Sequence, residues 1–345
     1  MAVTRADVAK LAGVSPAVVS YVLNPGSRPV SASARARIEA AIAELGYRPN
    51  AIAQALRRSS TMSMGLMVPN LGHVVVADTA SALEDIAYEL GYVLFVGSVG
   101  DDRERAERYL RTYVDRQVDA IIVIGSLAPE LMAQIADEPL PVIVLDEIGA
   151  GSGISSIHTE SRESSREVVT HLIEQHGHER IGCVTSSGSR SRTTGARVAG
   201  WRDALDAHGL PSGDDWVFTS AECTRTSGAL GADTLLDSVA PTAFFTTSDM
   251  QAVGLIGAIR HRGLMVPRDI AVVSYENSDL AVRAFPGLTS VDCRTDEVAR
   301  LAMERLVARL RDGALPETHD VVPTEIVYRA SCGCDVPLAN PAAST

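Results

Sequence analysis

The spacing of hydrophobic positions changes period near residue 62. Up to residue 47, apolar side chains recur at helical intervals in three short blocks: Val8, Ala9, Leu11 and Ala12; Val18, Val19, Val22 and Leu23; then Ile38, Ala41, Ile42 and Leu45. The residues between these blocks carry start and stop signals. Thr4 suits a helix cap with Asp7 three residues on, and Gly13 suits a sharp left-handed turn. Ser15 followed by Pro16 starts a second helix, Ser31 or Ser33 starts a third, and Gly46 stops it. Residues 47–62, YRPNAIAQALRRSSTM, read as a linker in which Asn50 caps about two turns from Ala51 to Arg58, a length marginal for an isolated helix.

Beyond Met62, continuous apolar runs alternate with helical stretches. Strands are predicted at Met64–Val68, Val93–Val96, Ala120–Ile124, Val142–Leu145, Ile181–Val184, Val217–Thr219, Ala243–Thr246 and Ile270–Tyr275. Helices are predicted at Ala80–Leu90, Glu104–Arg116, Arg162–Gln175, Ala196–His208 and Met250–Arg262. Apolar strands between helices indicate parallel sheets covered on both faces, and so many strands suggest two sheets. The last residues, Asp335–Thr345, read as a disordered tail.

Composition narrows the function. The chain has 345 residues, 46% hydrophobic and 21% charged, in the range of globular proteins. No apolar run approaches the roughly 20 residues of a membrane helix. The N-terminus, MAVTRADVAK, lacks a signal-peptide core, so a cytoplasmic protein is expected. Five cysteines in such a chain read as reduced thiols. Cys332 and Cys334 read as two isolated thiols lacking the further ligands a zinc ion needs, and His176 and His178 as loop polarity and capping, so no metal or cofactor is expected. The net charge of −12 hides an asymmetry: residues 1–60 hold eight basic and three acidic side chains, a net +5, against −17 for the remainder. A basic head on an acidic body fits one end that meets nucleic acid.

The strongest motif is DVAKLAGVSPAVVSYVLN, Asp7–Asn24: a helix, a glycine turn and a second helix, with small Ala9 and Ala12 permitting a close crossing. With TRADVAKLAGVSPAVVSYVLN, AIAELGYRPN and the linker AIAQALRR, the chain resembles the lactose-repressor family. RVAGW, TTSDMQAVG, GLMVPRDIAVVSYEN and FPGLTSV follow in that family's order, and the resemblance spans about residues 3–330. It implies an α plus α/β fold: a helix-turn-helix head (1–47), a hinge (48–62) and a two-lobed, periplasmic-binding-protein-like core (63–330) of doubly wound parallel sheets. Lobe one is expected at 63–159 plus 293–330, lobe two at 160–292, and a tail at 331–345.

The resemblance also assigns sites. The second helix enters the major groove and presents Ser15, Pro16, Ala17, Ser20 and Tyr21; Thr4, Asn24 and Asn50 complete the expected DNA-contacting set. Pro16 and Ala17 depart from the family's polar residues and cannot make bidentate base contacts, though they can touch a thymine methyl. Arg28, in NPGSRPV, offers a cationic base or phosphate contact instead, or is a solvated loop charge. Leu56 is the implied minor-groove wedge, flanked by Arg57 and Arg58, or packs the hinge on the core. In the core, Arg197 matches an effector-binding arginine, and Asp249 and Glu276 follow strand ends where ligands of α/β proteins bind. Asp249 also reads as a helix cap. HVVV, His73–Val76, and Glu160–Ser161 replace the family's Asn-Pro-Phe-Phe and Asp-Asn, so rings that stack on sugars are missing from the first place expected; His73 is either a pocket residue or a loop histidine.

The expected function is therefore a dimeric repressor of a catabolic or transport operon, binding a near-palindromic DNA operator under control of a small polar, sugar-like or other effector. No heptad segment follows residue 330, which favours a homodimer over a tetramer. An activator, or a regulator answering to a protein partner, stays open. An enzyme or a transport binding protein using the core alone leaves residues 1–60 without a purpose, and no phosphate loop, nucleophile elbow or zinc-protease motif occurs.

Overall fold

The computed structural model describes residues 3–23, 28–48, 55, 60–149, 151–187, 192–313 and 316–335. The chain divides into two units, Met1–Thr61 and Met62–Thr345. In the first, α1 (Arg5–Ala12), α2 (Pro16–Leu23) and α3 (Ala32–Leu45) enclose Val8, Ala9, Ala12, Val19, Val22, Ile38 and Ala41. Thr4 and Asp7 form the reciprocal capping box, Gly13 turns at φ 63°, and Ser31 caps α3. α1 and α2 meet at 104°, within the range of helix-turn-helix pairs. Arg37 Nε donates to the Ala12 carbonyl at 3.1 Å, so α3 closes the C-terminal end of α1.

The second unit holds twelve described strands in two six-stranded sheets. The chain runs β1 (Ser63–Val68), α4 (Val74–Glu89), β2 (Val93–Ser98), α5 (Arg103–Asp115), β3 (Ala120–Ile124), α6 (Pro129–Ala136), β4 (Val142–Leu145) and β5 (Ser155–Thr159) through lobe one. Lobe two follows as α7 (Ser161–Glu174), β6 (Ile181–Ser186), α8 (Arg192–Ala207), β7 (Val217–Ser220), α9 (Arg225–Ser238), β8 (Ala243–Thr246), α10 (Asp249–His261), β9 (Ala271–Glu276), α11 (Asp279–Arg283) and β10 (Thr289–Asp292). Then come α12 (Thr295–Asp312), β11 (His319–Val322) and β12 (Glu325–Val327). The sheet orders are β11-β5-β4-β3-β1-β2 and β12-β10-β9-β8-β6-β7. Every pairing is parallel except β10 with β12. Each sheet has a packed core on both faces, as unbroken apolar strands require. α7 and α8 lie so close that a Cβ on Gly200 would come 2.1 Å from the Arg162 carbonyl oxygen.

The chain crosses between lobes three times: from β5 into α7, from β10 into α12, and from β11 into β12. The third crossing corrects the expected boundary. Lobe one does not extend to residue 330, and the tail does not begin at 331. β12 pairs with β10 in the sheet of lobe two. Ser331 is buried beyond it, where its hydroxyl accepts from Thr289 N at 2.8 Å and donates to the Val272 carbonyl at 2.6 Å. Residues 336–345, most of the expected disordered tail, lie outside the described residues. No single described helix is long and apolar enough to cross a membrane.

Candidate functional site

On the head, Ser15, Pro16 and Ala17 are exposed and Ser20 and Tyr21 half-buried, so the start of α2 presents the face expected of a reading helix. Burial of Val19 and Val22 fixes that orientation by anchoring the opposite side. Arg5 Nη1 donates to Ser20 Oγ at 3.4 Å, and the Arg28 guanidinium lies 5.9 Å from the Tyr21 ring centroid. Exposed Arg5 and Arg28 thus flank α2 with positive charge. Sequence reasoning missed Arg5, whose signal was only its place beside a cap. Thr4 is engaged in the capping box. Asn24, Asn50, Leu56, Arg57 and Arg58 lie outside the described residues.

In the core, a cleft of about 560 Å³ opens between the carboxyl ends of the two sheets, the size of a small-molecule site. Lobe one contributes His73, which directly precedes α4, and Asp146, which follows β4; lobe two contributes Thr193 and Arg197 from α8, Cys223, and Glu276 at the end of β9. His73 Nε2 lies 3.2 Å from Cys223 Sγ and 3.6 Å from Glu276 Oε1, across the cleft. Asp146 makes a second clasp, accepting from the Thr193 amide at 3.1 Å and from the Thr193 hydroxyl. Asp146 escaped the sequence reading although it directly follows the predicted strand Val142–Leu145, the same signal that singled out Glu276.

Arg197 is only 12% exposed. Its Nη1 donates to the Thr247 carbonyl at 2.7 Å and lies 3.8 Å from Glu276 Oε1, while the guanidinium stacks 3.9 Å from the Tyr275 ring centroid. Beneath that ring, the Tyr275 hydroxyl lies 3.2–3.3 Å from the hydroxyls of Thr159, Ser161 and Ser164, at the first crossing. Burial raises the Glu276 carboxyl well above its ordinary range; the Arg197 charge opposes this and Asp249 adds to it. Burial, with the Arg197 charge, pushes His73 down to about 4, so its contact with Glu276 joins a neutral imidazole to a carboxyl rather than an ion pair. Burial likewise pushes the Cys223 thiol up to about 12, which makes it inert as a nucleophile. Glu276 holds φ at 117°, a conformation L side chains rarely adopt, and the residue is buried. Two buried nitrogens of this set, Arg197 Nε and His73 Nδ1, have no hydrogen-bond partner among the described residues.

Asp249 does not join them. Its carboxylate is fully buried within lobe two and accepts from Ser274 Oγ (2.6 Å), Ser290 Oγ (2.7 Å), Ser278 N (2.7 Å) and Ser278 Oγ (2.8 Å). Nor is it the helix cap: Ser248 is, accepting from Met250 N and Gln251 N. Its expected effector contact is replaced by a role holding β9, β10 and α11 together. Among the described lining residues no Phe, Tyr or Trp occurs, and hydroxyls such as Ser98, Thr159, Ser186, Thr193 and Thr247 take their place.

Residues 4–50 match the family model of bacterial regulatory proteins, lacI family, and residues 169–332 match a periplasmic binding protein-like domain. The chain is 33% identical over 312 residues to the HTH-type transcriptional repressor PurR of Aliivibrio salmonicida, covering 90% of this chain and 92% of that one. It is 30% identical over 333 residues to catabolite control protein A of Priestia megaterium, covering 96% and 99%. Among solved structures, the Lac repressor dimer bound to operator and the anti-inducer ONPF aligns with a TM-score of 0.85 at 27% identity, covering 96% and 99%. With a helix-turn-helix head, two periplasmic-binding-protein-like lobes and a full-length relative named as a transcriptional repressor, the chain belongs to the lacI family and is a DNA-binding transcriptional regulator with an effector-binding core, not an enzyme.

Proposed function

We propose that this regulator is a cytoplasmic, dimeric repressor whose grip on a near-palindromic operator is set by a small polar effector held in the interlobe cleft. Two chains related by a two-fold axis bring two α2 helices to two half-sites. Closure or opening of the cleft shifts the first lobes against each other and decides whether the paired hinge segments, with Leu56, Arg57 and Arg58, form on the DNA. The effector site comprises His73, Arg197 and Glu276, with Asp146 and Thr193 as a lobe-to-lobe clasp. The regulated genes, on this reading, serve catabolism or transport of the effector.

The observation that carries this reading is the unpaired polar pair in the cleft. Arg197 Nε and His73 Nδ1 belong to opposite lobes, are buried, and lack partners among the described residues. Buried polar atoms are nearly always hydrogen-bonded, so a ligand supplying acceptor and donor groups completes them. A cationic fork beside hydroxyls suits a compound bearing a carboxylate or paired hydroxyls, and the lack of lining aromatics argues against a stacked hexose. The test is a thermal-shift screen of sugar acids, polyols and hydroxy acids on the full chain, followed by titration of hits into the protein–operator complex. A hit that raises the unfolding temperature and changes operator affinity supports the reading. Hits confined to unsubstituted hexoses, or none that alter operator binding, overturn it.

A further inference from the structure

Outside the cleft, lobe two gathers four potential metal ligands from two segments distant in sequence. His171 lies in the last turn of α7 and His176 in the loop after it, while Cys332 and Cys334 end the segment beyond β12. None of the four lines the cleft. Read along the chain, the two thiols have no partners, His176 looks like loop polarity and His171 is one residue of a predicted helix; the third crossing between lobes brings them together.

The geometry points to a closed, structural zinc-type site of two histidines and two cysteines. The His171 and His176 Nε2 atoms lie 3.1 Å apart, Cys334 Sγ lies 3.3 Å from His171 Nε2 and 3.5 Å from His176 Nε2, and all four donor atoms fall within 4.8 Å of one another. A tetrahedral ion with bonds of about 2.05 Å to nitrogen and about 2.3 Å to sulfur has edges of about 3.3 Å between nitrogens and about 3.6 Å between nitrogen and sulfur. The three separations among His171, His176 and Cys334 are those edges to within about 0.3 Å, and Cys332 Sγ lies within 4.8 Å of each as the fourth ligand. The ring planes stand at 73°, so each imidazole directs its Nε2 toward the shared centre without stacking on the other.

The surroundings fit the same reading. The Thr289 hydroxyl, 2.8 Å from the Arg329 carbonyl, also sits 3.1 Å from Cys332 Sγ, within reach to turn its proton to a thiolate. The Tyr328 ring covers His171, with centroids 4.5 Å apart. Gly333, at φ 103°, turns the chain between the two cysteines, and a Cβ there would come 3.1 Å from His176 Nδ1. Four protein ligands leave no open position, so the ion serves structure and not chemistry. It ties the last crossing segment to the end of α7, and its removal loosens lobe two at that edge.

The test uses the full chain, reduced and chelator-stripped under anaerobic conditions, titrated with Co²⁺ and then Zn²⁺. The expected result is one Co²⁺ per chain with the visible bands of a tetrahedral site and a thiolate charge-transfer band, displaced by Zn²⁺, which also raises the unfolding temperature. Cys334→Ser and His176→Gln each weaken binding by more than about 100-fold, whereas His178→Gln, at the neighbouring histidine, leaves it unchanged. Operator binding of the folded variants verifies that each chain is intact. Absence of the bands in reduced, folded wild-type protein overturns the site, as does their persistence in both ligand variants or a Cys332–Cys334 disulfide that reforms in the presence of thiol.

Discussion

Replacing Asp249 with alanine separates a structural carboxylate from a ligand-binding one. The side chain receives four hydrogen bonds, from three serine hydroxyls and the Ser278 amide, at 2.6–2.8 Å. Bonds to a charged acceptor contribute about 1.5–3 kcal/mol each, a gross figure near 8 kcal/mol. Much of it is offset by the cost of burying the charge, which is also why burial raises this carboxyl's pKa against the pull of its serines. Serine hydroxyls can turn to other acceptors, but the buried Ser278 amide cannot. The net loss for Asp249→Ala is therefore about 3–5 kcal/mol, the range for breaking a buried charged pair. At a few degrees per kcal/mol, the unfolding temperature falls by on the order of 10 °C. Asp249→Asn offers little rescue, because its amide hydrogens face serine donors. Thermal and denaturant unfolding of the ligand-free chain measure the loss, and effector titration of the surviving fold measures the response. An unchanged unfolding temperature together with a lost effector response would refute the reasoning and return Asp249 to the ligand site.

Arg197→Ala should abolish effector response over at least a hundredfold range of concentration while ligand-free operator affinity stays within a few-fold of wild type; anisotropy titration with labelled operator reads both, and response at the wild-type concentration would remove Arg197 from the site. His73 titrates at about 4 in the fold against 6.5 for the free side chain. The unfolded chain therefore takes up the proton first, and stability is lost as pH falls from 6.5 toward 4, at about 1.4 kcal/mol per unit and roughly 3 kcal/mol in all. Denaturant unfolding across that window should show the loss in wild type and a shallower one in His73→Gln; parallel profiles would contradict the assignment. The +5 head, doubled in a dimer, should give operator binding a steep salt dependence, each neutralised phosphate adding about −0.9 to the slope of log affinity against log salt; a flat slope would show that the head does not grip phosphates.

The elements that could be read from the sequence are those whose periodicity is strong. Caps at Thr4 and Ser31, left-handed glycines at 13 and 46, and the apolar strands β1, β3 and β8 all stand where the pattern puts them. β5 (SSIHT), β10 (TSVD) and β11 (HDVV) were missed because their polar residues hide among sheet neighbours that supply the burial. The helix α4 begins six residues before its expected start, since Val74–Val76 look like strand or loop in isolation yet Val76 packs into the core of lobe one. Arg197, within α8, and Glu276, at the end of β9, were visible as motif residues. Asp146, and the turning of Asp249 into its own lobe, were not, because both depend on which long-range neighbour each carboxylate meets. The same limit applies to the His171, His176, Cys332 and Cys334 cluster, whose members the third crossing brings together.

The stack of Arg197 on Tyr275 places the cation proposed to anchor the effector one ring away from the hydroxyl knot at Thr159, Ser161 and Ser164. That knot ties the first crossing between the lobes to the end of β9. On the proposed reading, occupancy and signal become separable properties of a ligand. A compound that displaces the Arg197 guanidinium should disturb the ring and the knot behind it. One confined to the far side of the cleft, among Ser98 and Asp101, should fill the same space without that effect, and so compete without signalling.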